Sequence, residues 1–113
     1  MRNTATSARE RSSSDAVIVR VNRIIADLVP GYLASRRSEI ADIRQKISER
    51  DLESLHVIGH QLKGSGEGFG FREITLLGAQ IEDAALAGDL RTIQEVADRL
   101  EEYVRTVTIV ADE

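Results

Sequence analysis

The sequence predicts an all-α protein, an up-and-down four-helix bundle with a short N-terminal capping helix, and three observations carry that prediction. Leu, Ile, Ala, Glu and Arg are abundant, whereas only two Phe, two Tyr and one Pro occur, a composition that favours helices over strands. Apolar residues recur at intervals of three, four and seven along several segments, the spacing of one helical face. Residues that start or stop helices stand at the borders of those segments.

Residues 1–14, MRNTATSARERSSS, are polar and lack apolar periodicity, so they read as a flexible tail that cannot offset its ordering entropy. The domain is expected over 15–113. The run DAVIVRV is too brief for more than an extended lead-in or a frayed first turn. Asn22 then offers an N-cap for a short helix that shows Ile24, Ile25 and Leu28 to one face, and Pro30 closes it while fitting the first turn of the next. From Gly31 to about Arg50, Leu33, Ile40, Ile43 and Ile47 form the stripe of an amphipathic helix. Asp51, with Glu53 in the first turn, caps the start of another. After Phe71 comes a stripe of Ile74, Leu77, Ile81 and Ala84/Ala85, ended by Gly88 as a C′ residue. Asp89 caps the last helix, in which Leu90, Ile93, Ala97, Leu100, Val104 and Val107 recur as in bundle packing.

Length and composition narrow the function. With 113 residues, 42% of them hydrophobic, the chain supports one compact domain. Without cysteine it has neither disulfides nor thiolate metal ligands. No apolar run approaches a membrane span, and the N-terminus has no secretory h-region, so a cytoplasmic protein is expected; Met1 and the polar opening favour a stand-alone one. Net charge is −4, and because Arg2, Arg9 and Arg11 meet only Glu10 in the tail, residues 15–113 carry 12 basic and 18 acidic side chains. Such a body repels a phosphate backbone, which excludes nucleic acid as an expected partner.

The stretch GHQLKGSGEGFGF, residues 59–71, asks whether glycines cradle a phosphate or a histidine carries one. Neither G-x-G-x-x-G nor G-x-x-x-x-G-K-[ST] fits, and no strand is expected beside it. On a helical wheel Leu52, Leu55, Ile58 and Leu62 share one direction, while His60 lies roughly 140° away and faces solvent. Lys63 and Gly64 follow one turn later, and His56, Gln61 and Glu67 flank the ring as candidate partner contacts. An exposed imidazole keeps a free lone pair near neutral pH and is a competent nucleophile. Phosphoryl transfer asks mainly for positioning and for charge on the phosphoryl oxygens, which Lys63 can supply. Gly64 leaves the approach to the ring clear, at a helix cost of about 1 kcal/mol against alanine. Gly66, Gly68 and Gly70 are read as helix-terminating glycines.

His60-Gln61-Leu62-Lys63-Gly64-Ser65, with Gly70 ten residues after the histidine, resembles the H-x-[LM]-K-G-[SN] signature of histidine-containing phosphotransfer (HPt) domains. PGYLASR at 30–36 is similar to the family's P-x-F-L-x-x-R segment, with Tyr32 in place of Phe, and Gly78 to Asp89 is similar to its run of a hydrophobic residue, Glu and Ala that ends in Gly-Asp. The resemblance implies a phosphorelay intermediate. A receiver domain carrying an aspartyl phosphate would dock over His60 and pass it the phosphoryl group, and a second receiver would take it away. Lys63 would stabilise the phosphoryl oxygens, Gly64 would permit close approach, and Ser65 would orient the motif through a hydrogen bond. Phe69, Phe71 and Leu62 would pack. No cofactor of its own is implied, Mg²⁺ belonging to the receiver, and a monomer is the family-like expectation; a hybrid histidine kinase is a further expected partner.

Other readings of the same residues compete with this one. His56 and His60 have H-x-x-x-H spacing, but H-E-x-x-H is absent because position 57 is Val, and metal binding would need a further ligand. Glu67 is placed to pair with Lys63 at i+4. An autonomous kinase or ATPase is not expected, since the chain shows no nucleotide motif and no convergent acid/base set. The alternative is a helical docking module that binds a receiver or kinase without exchanging phosphate.

Overall fold

The computed structural model describes residues 17–111, so the 1–14 tail and its border with the domain lie outside the described residues. Four helices follow in order: α1 (Val29–Ser48), α2 (Leu52–Gly66), α3 (Arg72–Ala87) and α4 (Leu90–Thr106). They form the expected helical bundle around a core of Leu33, Ile40, Ile43, Leu55, Leu62, Phe71, Ile74, Leu77, Ile81, Ile93, Val96 and Leu100. Every stripe residue named for the third and fourth helices is inside or half-buried, because three- and four-residue spacing puts them on one side. Val96 and Tyr103 also turn inward, which widens the α4 face beyond a single seam.

The caps act as their chemistry dictates. Asp51 accepts from the Ser54 amide at 3.1 Å and Asp89 from the Thr92 amide at 3.1 Å, satisfying N–H groups that the first turn leaves free. The Ser54 and Thr92 hydroxyls, which donate to the second carboxylate oxygens at 2.7 and 2.6 Å, and then these amides hold both carboxyls below the usual range. Gly88 ends α3 with φ 72°, where a side chain would be strained. Arg50 takes the same left-handed role after α1 at φ 57°, and Asp51 N–H bonds back to the Lys46 carbonyl at 2.9 Å.

Two expectations for the N-terminal region need correction. The capping helix shrinks to a single 3-10 turn, Ala26–Leu28. Only seven residues separate Asn22 from Pro30, too few to offset helix nucleation, and Asn22 Oδ1 instead accepts from the Ile24 amide at 2.7 Å to make a tight turn. Ile24 is 87% exposed and Leu28 59%, while Ile25 is half-buried, so the three do not share the one face expected of them. The lead-in is a strand: β1 (Ile18–Val21) pairs in parallel with β2 (Thr108–Ala111), Ile18 opposite Thr108 and Val21 opposite Ala111. Both segments are rich in β-branched residues, and Val107 leaves the helix in extended geometry, φ −67° and ψ 137°. Sequence periodicity over four residues gives little sign of such a non-local pairing.

Next to β1, whose Val21 comes up against Gly70, aromatic rings lock the end of α2 to α1. Tyr32 stacks on Phe69 with centroids 4.3 Å apart and on Phe71 at 5.7 Å, and Phe71 meets Tyr103 edge-on at 6.5 Å. The chain turns there through a 3-10 segment, Glu67–Phe69, and Gly70 at φ 91°. Gly70 is a terminator as expected. Gly66 is not: its backbone is helical, and a β-carbon on it would lie 2.6 Å from the Thr75 amide nitrogen. Close packing on α3, rather than chain reversal, requires glycine there.

Candidate functional site

The site grows out of one close helix crossing. A β-carbon on Gly59 would stand 2.6 Å from the Glu82 backbone nitrogen, and one on Gly78 would stand 2.5 Å from that of Lys63. With no side chains between them, α2 and α3 come nearly into backbone contact. The crossing brings Glu82, one turn beyond Gly78, beneath the next residue after Gly59, which is His60.

The His60 side chain is 68% exposed, while that of Glu82 is only 12% exposed. Glu82 Oε2 lies 2.9 Å from His60 Nδ1, and its Oε1 lies 2.7 Å from Lys63 Nζ. The bonds from Lys63 first, and His60 second, hold the Glu82 carboxyl below its ordinary range, whereas the carboxylate raises the Lys63 ammonium above its own. An ionised carboxylate only accepts, so the His60 nitrogen facing it carries the proton. The lone pair is then left on Nε2, the atom that points away from Glu82. An oriented, exposed imidazole nitrogen with an ammonium at its side can attack an electrophile brought by a partner and meet the anionic charge of a phosphoryl group.

The other predicted site residues fall into place around this pair. Gly64 is exposed, and a β-carbon on it would meet nothing within 4 Å. Ser65 does not reach His60; its Oγ lies 3.0 Å from Tyr32 Oη and 3.3 Å from Arg36 Nη1, tying α2 to α1. Gln61 is exposed, and His56 is half-buried with Nε2 3.6 Å from Glu82 Oε2. The expected Lys63 to Glu67 pairing is replaced, because Lys63 turns to the desolvated Glu82 carboxylate instead. Glu67 contributes its amide, which donates to Thr75 Oγ1 at 2.8 Å, while that hydroxyl donates to the Lys63 carbonyl at 3.0 Å. Thr75 thus stands between the two groups that a continuous helix would join directly, at the turn after Lys63. Among the described residues no cluster of three or more His, Cys, Asp or Glu side chains can hold a metal ion.

Reasoning from sequence left out Gly59 and Thr75 and gave Glu82 no role in the site. Glu82 had a signal: an acidic residue adjoining Ile81 on the apolar stripe of α3, four residues after Gly78, within the segment 78–89 already singled out. Gly59 beside the histidine had one too, since a helix-interior glycine costs stability unless another backbone approaches.

Fold and cluster together define a class: a helical bundle that displays an oriented imidazole on its surface instead of enclosing a substrate. A family model described as Hpt domain matches residues 27–108, and the chain belongs to that family. Its role is therefore phosphotransfer in two-component signalling, the setting in which these domains meet response-regulator receivers and kinases. No curated protein and no solved structure matches the chain. Among the described residues no helix is long and apolar enough to cross a membrane.

Proposed function

We propose that His60 is the phosphoacceptor, taking a phosphoryl group from the aspartyl phosphate of one receiver domain and passing it to the aspartate of another. The observation that supports this most directly is the 2.9 Å contact between His60 Nδ1 and Glu82. It favours the tautomer whose Nε2 lone pair is exposed, and it places a carboxylate where the ring becomes positive as that lone pair is used. In the forward step Nε2 forms a bond to phosphorus, the acyl phosphate P–O bond breaks, and its electron pair leaves on the receiver carboxylate. The second receiver's carboxylate reverses the sequence.

Lys63 keeps two of its three N–H donors free of Glu82, available to the phosphoryl oxygens. Gly64 opens the surface beside the ring, and Ser65 anchors this turn of α2 to α1. Gln61, Glu67 and His56 border the face a receiver would cover. The Mg²⁺ that phosphoryl transfer uses would be held by the receiver and not by this chain, and no phosphorylation from ATP by the chain alone is expected.

The test is transfer of labelled phosphate from a panel of phosphorylated receivers to the wild type and to His60→Gln. Acid-labile, base-stable label on the wild type alone supports the proposal. Receiver binding by both proteins without label on either would make the chain a docking module.

A further inference from the structure

The Glu82 carboxylate has a third neighbour. His56, one turn before His60 on α2, points Nε2 at the same oxygen, Oε2, from 3.6 Å, against 2.9 Å for His60 Nδ1. That separation is too long for a hydrogen bond, yet the ring is half-buried and its nitrogen faces an oxygen kept ionised largely by Lys63. Since the carboxylate only accepts, the favourable state of His56 has a hydrogen on Nε2. Two imidazole N–H groups then flank one oxygen, and whatever His56 draws from it is withheld from His60.

We infer that His56 is a positioning residue that sets how long His60 keeps its phosphoryl group, by competing for Glu82 Oε2; the inference rests on the phosphoacceptor reading of His60. With phosphorus on Nε2 the ring is positive as long as Nδ1 keeps its proton. In that form an attacking water oxygen bonds to phosphorus, the P–Nε2 bond breaks, and the bonding pair returns to Nε2. The ring leaves as neutral imidazole with Nδ1–H in place, and the water's proton goes to the released phosphate and solvent. If Nδ1 has already lost its proton to solvent, the same step must expel an imidazolate, a far poorer leaving group, and the phosphoryl group is retained. Glu82 Oε2 favours the protonated, labile ring, and His56 diverts that oxygen toward itself.

The ionisable groups bearing on the ring are Glu82 from α3, Lys63 and His56 from α2, and Asp83, whose charge acts on Lys63. On the α1 side Arg36 reaches as far as Ser65 and pairs with Glu39. Of these, Lys63 occupies Oε1, whereas His56 faces the oxygen that His60 uses.

The experiment loads the full chain with phosphoramidate, a small phosphoryl donor that needs no partner, and follows loss of the His60 phosphoryl group by phosphorus NMR across the neutral pH range. Wild type, His56→Leu and His56→Gln are compared, and a His60→Gln sample identifies the signal. The leucine variant should move the decay profile up by about half a pH unit, a roughly threefold faster loss at neutral pH, the effect of one neighbouring charge or dipole in a water-like dielectric. Glutamine, whose amide N–H can replace Nε2–H, should restore the wild-type profile. A leucine profile that superimposes on wild type overturns the role of His56 and leaves His60 as acceptor. No phosphoryl group on His60 in any sample overturns the acceptor reading and this inference with it.

Discussion

Gly59 and Gly78 face each other across the α2–α3 crossing so closely that a β-carbon on Gly78 would lie 2.9 Å from the Gly59 carbonyl oxygen. Alanine ordinarily stabilises a helix relative to glycine, but here the neighbours are backbone atoms that cannot rotate away. Gly59→Ala and Gly78→Ala are each expected to destabilise the fold by about 1–3 kcal/mol through overpacking. Chemical denaturation measures that loss. Because the same crossing holds Glu82 against His60, the NMR signal of the His60 Nδ1 proton should weaken in both variants.

Glu82→Gln keeps the shape of the side chain and removes its charge. The amide no longer forces the proton onto Nδ1 and no longer answers the positive ring, so phosphoryl transfer should slow on the order of tenfold, the equivalent of one charge-assisted hydrogen bond. Stability carries a second signature. The folded carboxyl is held low by Lys63 and then His60, so its contribution is fully present above the unfolded value of 4.5 and is lost as pH falls through the lower folded value. Lys63 is raised, so its share persists through neutral pH and is lost only as pH rises through that raised value. Denaturation midpoints of wild type and Glu82→Gln should therefore differ at neutral pH and converge in acid.

How much of this was legible in the sequence depends on the range of the interaction. Asp51, Asp89 and Gly88 were readable because capping is decided within a few residues, and His60 faced solvent as the wheel required because Leu55 and Leu62 fix the rotation of α2. The partner of Lys63 was not readable. Glu67 at i+4 is the local choice, whereas Glu82 becomes available only when two glycines let separate helices touch. The β1–β2 pair escaped for the same reason, since it joins residues about ninety positions apart.

Arg50 supports a prediction about stability alone. It takes φ 57° at the end of α1, while its exposed side chain leaves it free of packing duties. A left-handed conformation costs a residue with a β-carbon roughly 1 kcal/mol more than glycine. Arg50→Gly should raise stability by up to about 1 kcal/mol, read as a higher thermal midpoint, with phosphotransfer unchanged.

Gly64→Ala separates what the fold needs from what a partner needs. Unlike Gly59, Gly66 and Gly78, Gly64 has open space where a β-carbon would be, and its backbone is helical. Nothing among the described residues asks for glycine there, and alanine should stabilise the protein by about 0.4–1 kcal/mol. If the bare surface one turn after His60 exists for a receiver to approach, the more stable variant will be the poorer relay, with its loss seen in transfer from receivers and not in loading by phosphoramidate, which is small enough to pass a methyl group. Equal transfer rates from receivers to both proteins would show that the partner does not come down on this side of the ring.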